Sequence, residues 1–131
     1  MIVLDTHALV WWVNGDQRLS DAAATAIRNN RIDDAVFASS ISTWELAMLV
    51  AKGKLELGVD VLSWTETVAS VDGFRFVPVD NVVAVRSQTL PGSFHADPAD
   101  RIIVALAREL AVPLVTADAK IRDYAHVTTI W

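Results

Sequence analysis

The chain has 131 residues, no cysteine, a hydrophobic fraction of 53% and a formal net charge of −5 at pH 7. This length predicts one domain spanning residues 1–131, and the lack of cysteine excludes disulfides and cysteine-based zinc sites. The charge argues against binding nucleic acid by charge alone, although it does not exclude a nuclease whose acids bind divalent cations. Because no apolar run approaches the about 18 residues of a membrane span and no signal peptide is evident, we expect a cytoplasmic protein without a membrane partner.

Apolar runs, helical periodicity and capping residues divide the chain into alternating strands and helices. The first half of the chain is predicted to contain a strand at 1–4, an apolar aromatic segment at 7–13, a helix at 20–29, a strand at 35–38 and a helix that opens with Ser42-Thr43-Trp44-Glu45 and ends at Gly53. A small extended piece at Leu55 and Leu57, a helix capped by Asp60 and ending at Gly73, a short strand at 74–79 and a helix at 81–90 follow. The last part is predicted to contain a helix capped by Asp97 and broken at Val112-Pro113, a strand at Leu114-Val115, a helical turn at 119–124 and a last strand at 127–130. This alternation favours a three-layer α/β/α sandwich with a mainly parallel sheet.

Two predicted strands end in aspartates, Asp5 and Asp118, and Asp97 and Asp100 lie at the start of the helix between them. Crossovers between parallel strands are right-handed, so their carboxyl ends gather on one side of the sheet, where ligands bind. We therefore expect an acidic pocket there. Three or four carboxylates at close range repel one another strongly, which makes a purely structural role costly without a cation such as Mg²⁺.

Each acid also has a simpler structural interpretation. Asp5 and Asp118 match turn or cap aspartates, Asp97 matches an N-cap before Pro98, and Asp100 matches a first-turn helix acid. Ser42-x-x-Glu45 matches a capping box, in which the glutamate side chain bonds to the backbone of the cap.

The remaining polar residues give weaker signals. The three histidines lack a zinc-ligand spacing, and neither a nucleophilic-serine motif nor a glycine-rich phosphate loop is present. Arg101 and Lys120 are among the basic residues that could meet phosphates, with solvated surface as the simpler role.

Four segments together resemble a known family: I-V-L-D-T-H-A-L-V-W from residue 2, S-S-I-S-T-W-E-L-A from residue 39, H-A-D-P-A-D-R-I-I-V-A-L-A from residue 95 and L-V-T-A-D-A-K-I from residue 114. In this order the chain resembles a PIN domain, and more narrowly the VapC-type ribonuclease toxins of bacterial toxin–antitoxin pairs. Each motif alone is weak, whereas all four at these separations make a specific match.

The resemblance implies a PIN-like α/β/α fold and a carboxylate cluster that binds Mg²⁺ or Mn²⁺ and hydrolyses RNA by a metal-activated water. Carried over by position, it implies Asp5, Glu45, Asp100 and Asp118 as catalytic and metal-binding residues. It also implies Thr6 and Thr116 as flanking hydroxyls. Asp97 and Arg101 are candidates for an accessory role, and Asp97 matches a variant of the motif rather than the general PIN pattern. The implied partners are an RNA substrate, a small antitoxin protein and a second copy of the chain.

Two other functions use the same acids. One is a Mg²⁺-dependent phosphohydrolase of small phosphate esters, which would leave RNA intact. The other is a PIN-like binding or scaffold protein with a vestigial site, which the presence of all four acids disfavours.

Overall fold

The computed structural model describes residues 1–131 and contains one five-stranded parallel sheet. The strands lie in the order β3-β2-β1-β4-β5, so the N-terminal strand occupies the centre. They are β1 (Ile2–Leu4), β2 (Val36–Ser39), β3 (Phe74–Val77), β4 (Leu114–Val115) and β5 (Thr129–Ile130). Leu4 pairs with Ala38 on one side and with Val115 on the other, which aligns the carboxyl ends of the three central strands.

Seven helices connect these strands, and most of them begin at a polar side chain that accepts a backbone N–H. They are α1 (Thr6–Asn14), α2 (Asp21–Arg31), α3 (Ser40–Ala51), α4 (Val61–Ala69), α5 (Asn81–Gln88), α6 (Pro98–Leu110) and α7 (Ala119–Arg122). None of the seven combines the length and the apolar composition that crossing a membrane requires.

The helices cover both faces of the sheet, because alternate residues of a strand point to opposite faces. Ile2 and Leu4 of β1 belong to a core that includes residues of α1, α2, α3 and α4, whereas Val3 belongs to a second core with α5, α6 and α7. The predicted three-layer sandwich with a parallel sheet is therefore confirmed.

The helix after β2 starts earlier than the sequence predicts. Ser39 is the N-cap of α3 and its hydroxyl accepts the N–H of Ile41, so Ser42 lies inside the helix rather than at its cap. The capping-box interpretation of Glu45 is therefore wrong. Ser42 is fully buried and its Oγ lies 2.8 Å from Oγ1 of Thr6, a tertiary contact that local spacing does not show.

Smaller differences concern the ends of elements. Leu55 and Leu57 form no strand and instead pack against the first core. The third strand stops at Val77, immediately before Pro78, because proline cannot donate to the ladder. The helix predicted at 81–90 ends at Gln88, and the last strand is limited to Thr129–Ile130.

Candidate active site

Asp5 and Asp118 are neighbours at the carboxyl edge of the sheet, where they follow the adjacent strands β1 and β4. Asp5 caps α1 and accepts the Thr6 N–H at 2.5 Å. Asp118 caps α7 and accepts the Lys120 N–H at 2.8 Å. Each aspartate is thus a helix cap and also lies at the edge where ligands of parallel sheets bind, so the two interpretations of the sequence are compatible.

Asp5 is the most deeply placed of the acids, with 1% of the residue exposed. Its Oδ2 accepts the hydroxyl of Thr116 at 2.5 Å and lies 3.4 Å from Nε2 of His7. Burial raises the pKa of Asp5, while His7, Thr116 and Thr6 partly offset that increase. The Thr116 oxygen also accepts the N–H of Asp118 at 3.0 Å, so one hydroxyl positions both strand-end aspartates.

Asp100 lies in the first turn of α6, and its N–H donates to the cap Asp97 at 2.9 Å. Its Oδ2 lies 3.2 Å from Nε2 of His95, a buried atom with no hydrogen-bond partner. Burial raises the pKa of Asp100 to about 7, and negative charge on Asp5, Asp97, Asp118 and Glu45, named in decreasing order, adds to the increase. The pKa of Asp100 is therefore raised by the negative charge of every other acid that the sequence identifies as a candidate.

Glu45 reaches this cluster from α3, near the buried hydroxyl of Thr6. Burial raises the pKa of Glu45, the Thr6 hydroxyl lowers it, and the charges of Asp5 and Asp97 raise it further. Because Glu45 is not part of a capping box, it has no bond to the backbone of the helix start. The groups that influence its pKa include Thr6 and residues of the acidic cluster.

The acids lie around one site, but they do not converge at one point. No three acidic or histidine side chains converge closely enough to hold a single metal ion together. A hard cation such as Mg²⁺ is commonly bound by one or two carboxylates, with water or phosphate oxygens completing its shell. The all-oxygen donor set of Asp5 and Asp100 fits such a cation, and the charges of Asp118 and Glu45 act on the same site.

Arg101 has a structural position beside the site. Its Nε donates to the carbonyl of Ser87 at 2.8 Å, and Nη1 donates to the carbonyls of Phe94 and His95 at 2.9 and 3.1 Å. These bonds fasten the loop that carries His95 against α6. The guanidinium thus acts on the protein backbone, which differs from the phosphate contact considered from sequence.

Two histidines and a serine that sequence reasoning missed lie next to the acids. His7 and His95 each approach one carboxylate, and Ser42 contacts Thr6. The zinc spacing rule could not find the histidines, because each comes from a different segment and meets an aspartate rather than a shared metal. For His7, the only signal is its place two residues after Asp5 at a strand end.

A cleft of about 520 Å³ opens beside Glu45 and is lined by Thr6, His7 and Trp11 among others. Trp11 is half-buried, with its ring centre 5.2 Å from that of His7 and 5.7 Å from that of Trp131. Trp12 is also half-buried and packs on Phe74 at 5.8 Å. The two adjacent tryptophans are therefore partly covered by other aromatic rings of the chain.

Comparison with known proteins places this architecture in a family. The PIN domain pattern matches residues 2–127. The chain is 39% identical over 132 residues to a Mycobacterium tuberculosis (strain ATCC 25618 / H37Rv) protein named Ribonuclease VapC22, covering 99% of this chain and 98% of that protein. The fold of this chain is similar to that of a DNA-bound VapBC from Salmonella typhimurium, with a TM-score of 0.71, 16% identity and coverage of 98% of this chain and 95% of that chain. It is also similar to that of a toxin–antitoxin complex from Klebsiella pneumoniae, with a TM-score of 0.65, 17% identity and coverage of 98% and 97%, respectively.

Proposed function

The chain belongs to the PIN domain family, and on that premise we propose that it is a Mg²⁺- or Mn²⁺-dependent endoribonuclease, the toxin of a type II toxin–antitoxin pair. The observation that carries the proposal is the gathering of four acids near the carboxyl edge of the sheet, where burial and the neighbouring acids raise the pKa of Asp100 to about 7. Such a cluster is costly in a metal-free protein and useful around a cation. The full-length similarity to a ribonuclease supports RNA as the substrate.

In this proposal Asp5 and Asp100 hold the cation, and Asp118 and Glu45 support it from longer range. Thr6 and Thr116 orient the carboxylate of Asp5, since the Thr6 N–H and the Thr116 hydroxyl donate to its two different oxygens. Thr116 orients the Asp118 backbone as well. When bound, a divalent cation would lower the pKa of a water for in-line attack and stabilise the leaving 3′ oxygen.

The proposal is tested by incubating the purified chain with RNA in Mg²⁺, in Mn²⁺ and in EDTA. We expect cleavage in both metals, none in EDTA, and a loss of at least two orders of magnitude for Asp5→Asn or Asp118→Asn. Asp33→Asn is the matched control, because Asp33 is an exposed acid before β2, at the opposite edge of the sheet. It should cleave RNA as the wild type does.

Each competing function has its own outcome in the same assay. RNA cleavage that persists after thorough chelation would exclude the metal mechanism. Intact RNA together with hydrolysis of p-nitrophenyl phosphate would favour the small-ester phosphohydrolase. A chain that hydrolyses neither, although its melting temperature rises in Mg²⁺, would favour a binding protein with a vestigial site.

We also propose a small antitoxin as partner and a homodimer as the free form. The support for the antitoxin is the fold shared with a toxin–antitoxin complex. Expression of the chain alone should arrest growth, and co-expression of a short protein from the adjacent reading frame should restore it. Normal growth despite abundant soluble protein would contradict the toxin role, and a monomer by light scattering would contradict the homodimer.

A further inference from the structure

A second cleft, of about 470 Å³, borders the acids at His95 and Lys120. We call it the Lys120 cleft; its lining includes Phe94, His95, Lys120, Asp123, Tyr124 and His126. Its volume lies within the about 300–1,000 Å³ typical of ligand pockets. None of its residues is among the proposed metal ligands, so its composition calls for a separate explanation.

The Lys120 cleft joins the metal site at two points. His95 lines the cleft, and its Nε2 is 3.2 Å from Oδ2 of Asp100. Lys120 lines it from the other side, and its backbone N–H donates to Asp118. A strand of RNA whose phosphodiester lies at the acids would therefore place a neighbouring nucleotide in this cleft.

Aromatic rings form a continuous row along the cleft. Phe94 lies 4.4 Å from His95 and 4.8 Å from Tyr124, and Tyr124 lies 5.4 Å from His126, all between ring centres. Tyr124 is buried and Phe94 and His95 are half-buried, so the exposed imidazole of His126 at the end of the row is the ring that is open to a base. Proteins that bind single-stranded nucleic acid combine such stacking surfaces with cationic groups that follow the backbone.

Lys120 supplies the cationic group. It is exposed and forms no salt bridge, so its ammonium is available to a phosphate. Asp123, three residues later, is also exposed and forms no salt bridge, and its negative charge opposes an approaching phosphate. The cleft thus carries one charge of each sign, which allows a test in which two substitutions act in opposite directions.

The walls of the cleft are held in place by the protein itself. The Tyr124 hydroxyl donates to the carbonyl of Pro91, and Nη1 of Arg108 donates to the carbonyl of His126. Gly92 has a φ of +66°, and a Cβ there would lie 3.2 Å from Nε2 of His126. Glycine therefore fits this position both for its backbone conformation and for the close approach of the imidazole.

We infer that the Lys120 cleft binds the nucleotide next to the scissile phosphodiester, with Lys120 on its phosphate and His126 against its base. This inference rests on the proposed ribonuclease function and adds the substrate's contact surface to it. The substrate class it names is single-stranded RNA, because a base paired in a duplex could not lie on the imidazole.

The inference is tested with a fluorescein-labelled single-stranded RNA of about 12 nucleotides. Its affinity is measured by anisotropy in EDTA, which prevents turnover, and kcat/KM is measured in Mg²⁺, both from about 0.1 to about 1 M KCl. Releasing one phosphate contact lowers the slope of log Kd against log salt by about 0.7. Lys120→Ala should therefore bind about five-fold more weakly at the low salt concentration and equally well at the high one.

Asp123→Asn should show the opposite change, with tighter binding at low salt, and His126→Ala should weaken binding at every salt concentration, because stacking is not screened. Lys52→Ala is the matched control. Lys52 is an exposed lysine at the far end of α3 and should leave binding and its salt dependence unchanged. Stabilisation by Mg²⁺ should be the same in all four variants, which excludes an indirect effect through the metal site.

The possible failures are distinguishable. If the wild type cleaves RNA, and both Lys120→Ala and Asp123→Asn have the wild-type affinity and kcat/KM at every salt concentration, the cleft is not the subsite and the proposed function stands. If the wild type cleaves no RNA, the ribonuclease proposal fails. In that case, if Lys120→Ala still changes the salt dependence of RNA binding, the cleft remains an RNA-binding surface. If Lys120→Ala leaves that salt dependence unchanged, both the subsite and the ribonuclease proposal are overturned.

Discussion

Replacing Asp100 by asparagine should stabilise the metal-free protein while removing its activity. The substitution keeps the shape of the side chain and removes one negative charge from a site that already contains Asp5, Asp97, Asp118 and Glu45. The pKa of Asp100 rises from 3.8 to about 7 in the folded protein, so the folded state binds a proton that the unfolded state releases. Stability contributed by this group therefore falls as pH rises from about 4 to about 7 and stays low above that range.

The size of the effect follows from this shift in pKa. One pKa unit corresponds to about 1.4 kcal/mol, so a rise from 3.8 to about 7 sets an upper limit of about 4 kcal/mol on the cost of ionised Asp100. The side chain is 16% exposed and faces the mouth of the site, and solvent screening reduces this limit. We expect Asp100→Asn to gain about 1–2 kcal/mol at pH 8 in EDTA, or a melting temperature higher by about 4–8 °C for a chain of this size.

The assay compares thermal melts of wild type and Asp100→Asn at pH 5 and pH 8, in EDTA and in excess Mg²⁺. The advantage of the variant should be larger at pH 8 than at pH 5, and the wild type should gain more stability from Mg²⁺, because binding only to the folded state raises stability by mass action. Asp21→Asn is the matched control: Asp21 is an exposed first-turn acid of α2, distant in sequence from the site. It should lose a few tenths to about 1 kcal/mol with no dependence on Mg²⁺.

One result would refute the reasoning. If Asp100→Asn is less stable than wild type in EDTA at pH 8 and gains as much from Mg²⁺, then Asp100 is an ordinary first-turn acid and the metal site lies elsewhere.

Substitutions at two further positions test how the protein orients the Asp5 carboxylate and the loop that carries His95. Thr116→Val removes the hydroxyl that donates to buried Asp5 and should cost about 1–3 kcal/mol in urea unfolding and reduce RNA cleavage, whereas Thr116→Ser, which keeps the donor, should retain most of both. Arg101→Ala removes three bonds to backbone carbonyls and should lower kcat by releasing the loop that carries His95, with Mg²⁺ affinity unchanged; a loss confined to KM for RNA would indicate a direct phosphate contact instead.

The elements that carry the site could be predicted wherever local signals agree. Asp97, Pro98 and an apolar stripe ending near Leu110 define α6, and the apolar runs before Asp5 and Asp118 define two central strands. Parallel strands then bring those two aspartates to one edge, as the structure confirms.

The start of α3 could not be predicted in the same way. Four of the five residues at its start, Ser39, Ser40, Ser42 and Thr43, are good N-cap residues. Tertiary packing makes the choice, because the Ser42 hydroxyl is buried against Thr6. The histidine contacts are local, because His7 follows Asp5 closely and His95 shortly precedes Asp100, but no spacing rule of the sequence identifies such a carboxylate–imidazole pair.

The two central carboxylates of the site differ in what surrounds them. Asp5 accepts hydrogen bonds from the Thr6 N–H and the Thr116 hydroxyl and lies 3.4 Å from the His7 imidazole, so its orientation is fixed before any cation arrives. Asp100 is affected by the charges of four other acids and contacts a single imidazole, so a cation would relieve the repulsion on its carboxylate. Orientation and charge are therefore divided between two side chains. A substitution at Thr116 should disturb geometry, and one at Asp100 should disturb the coupling between metal and stability.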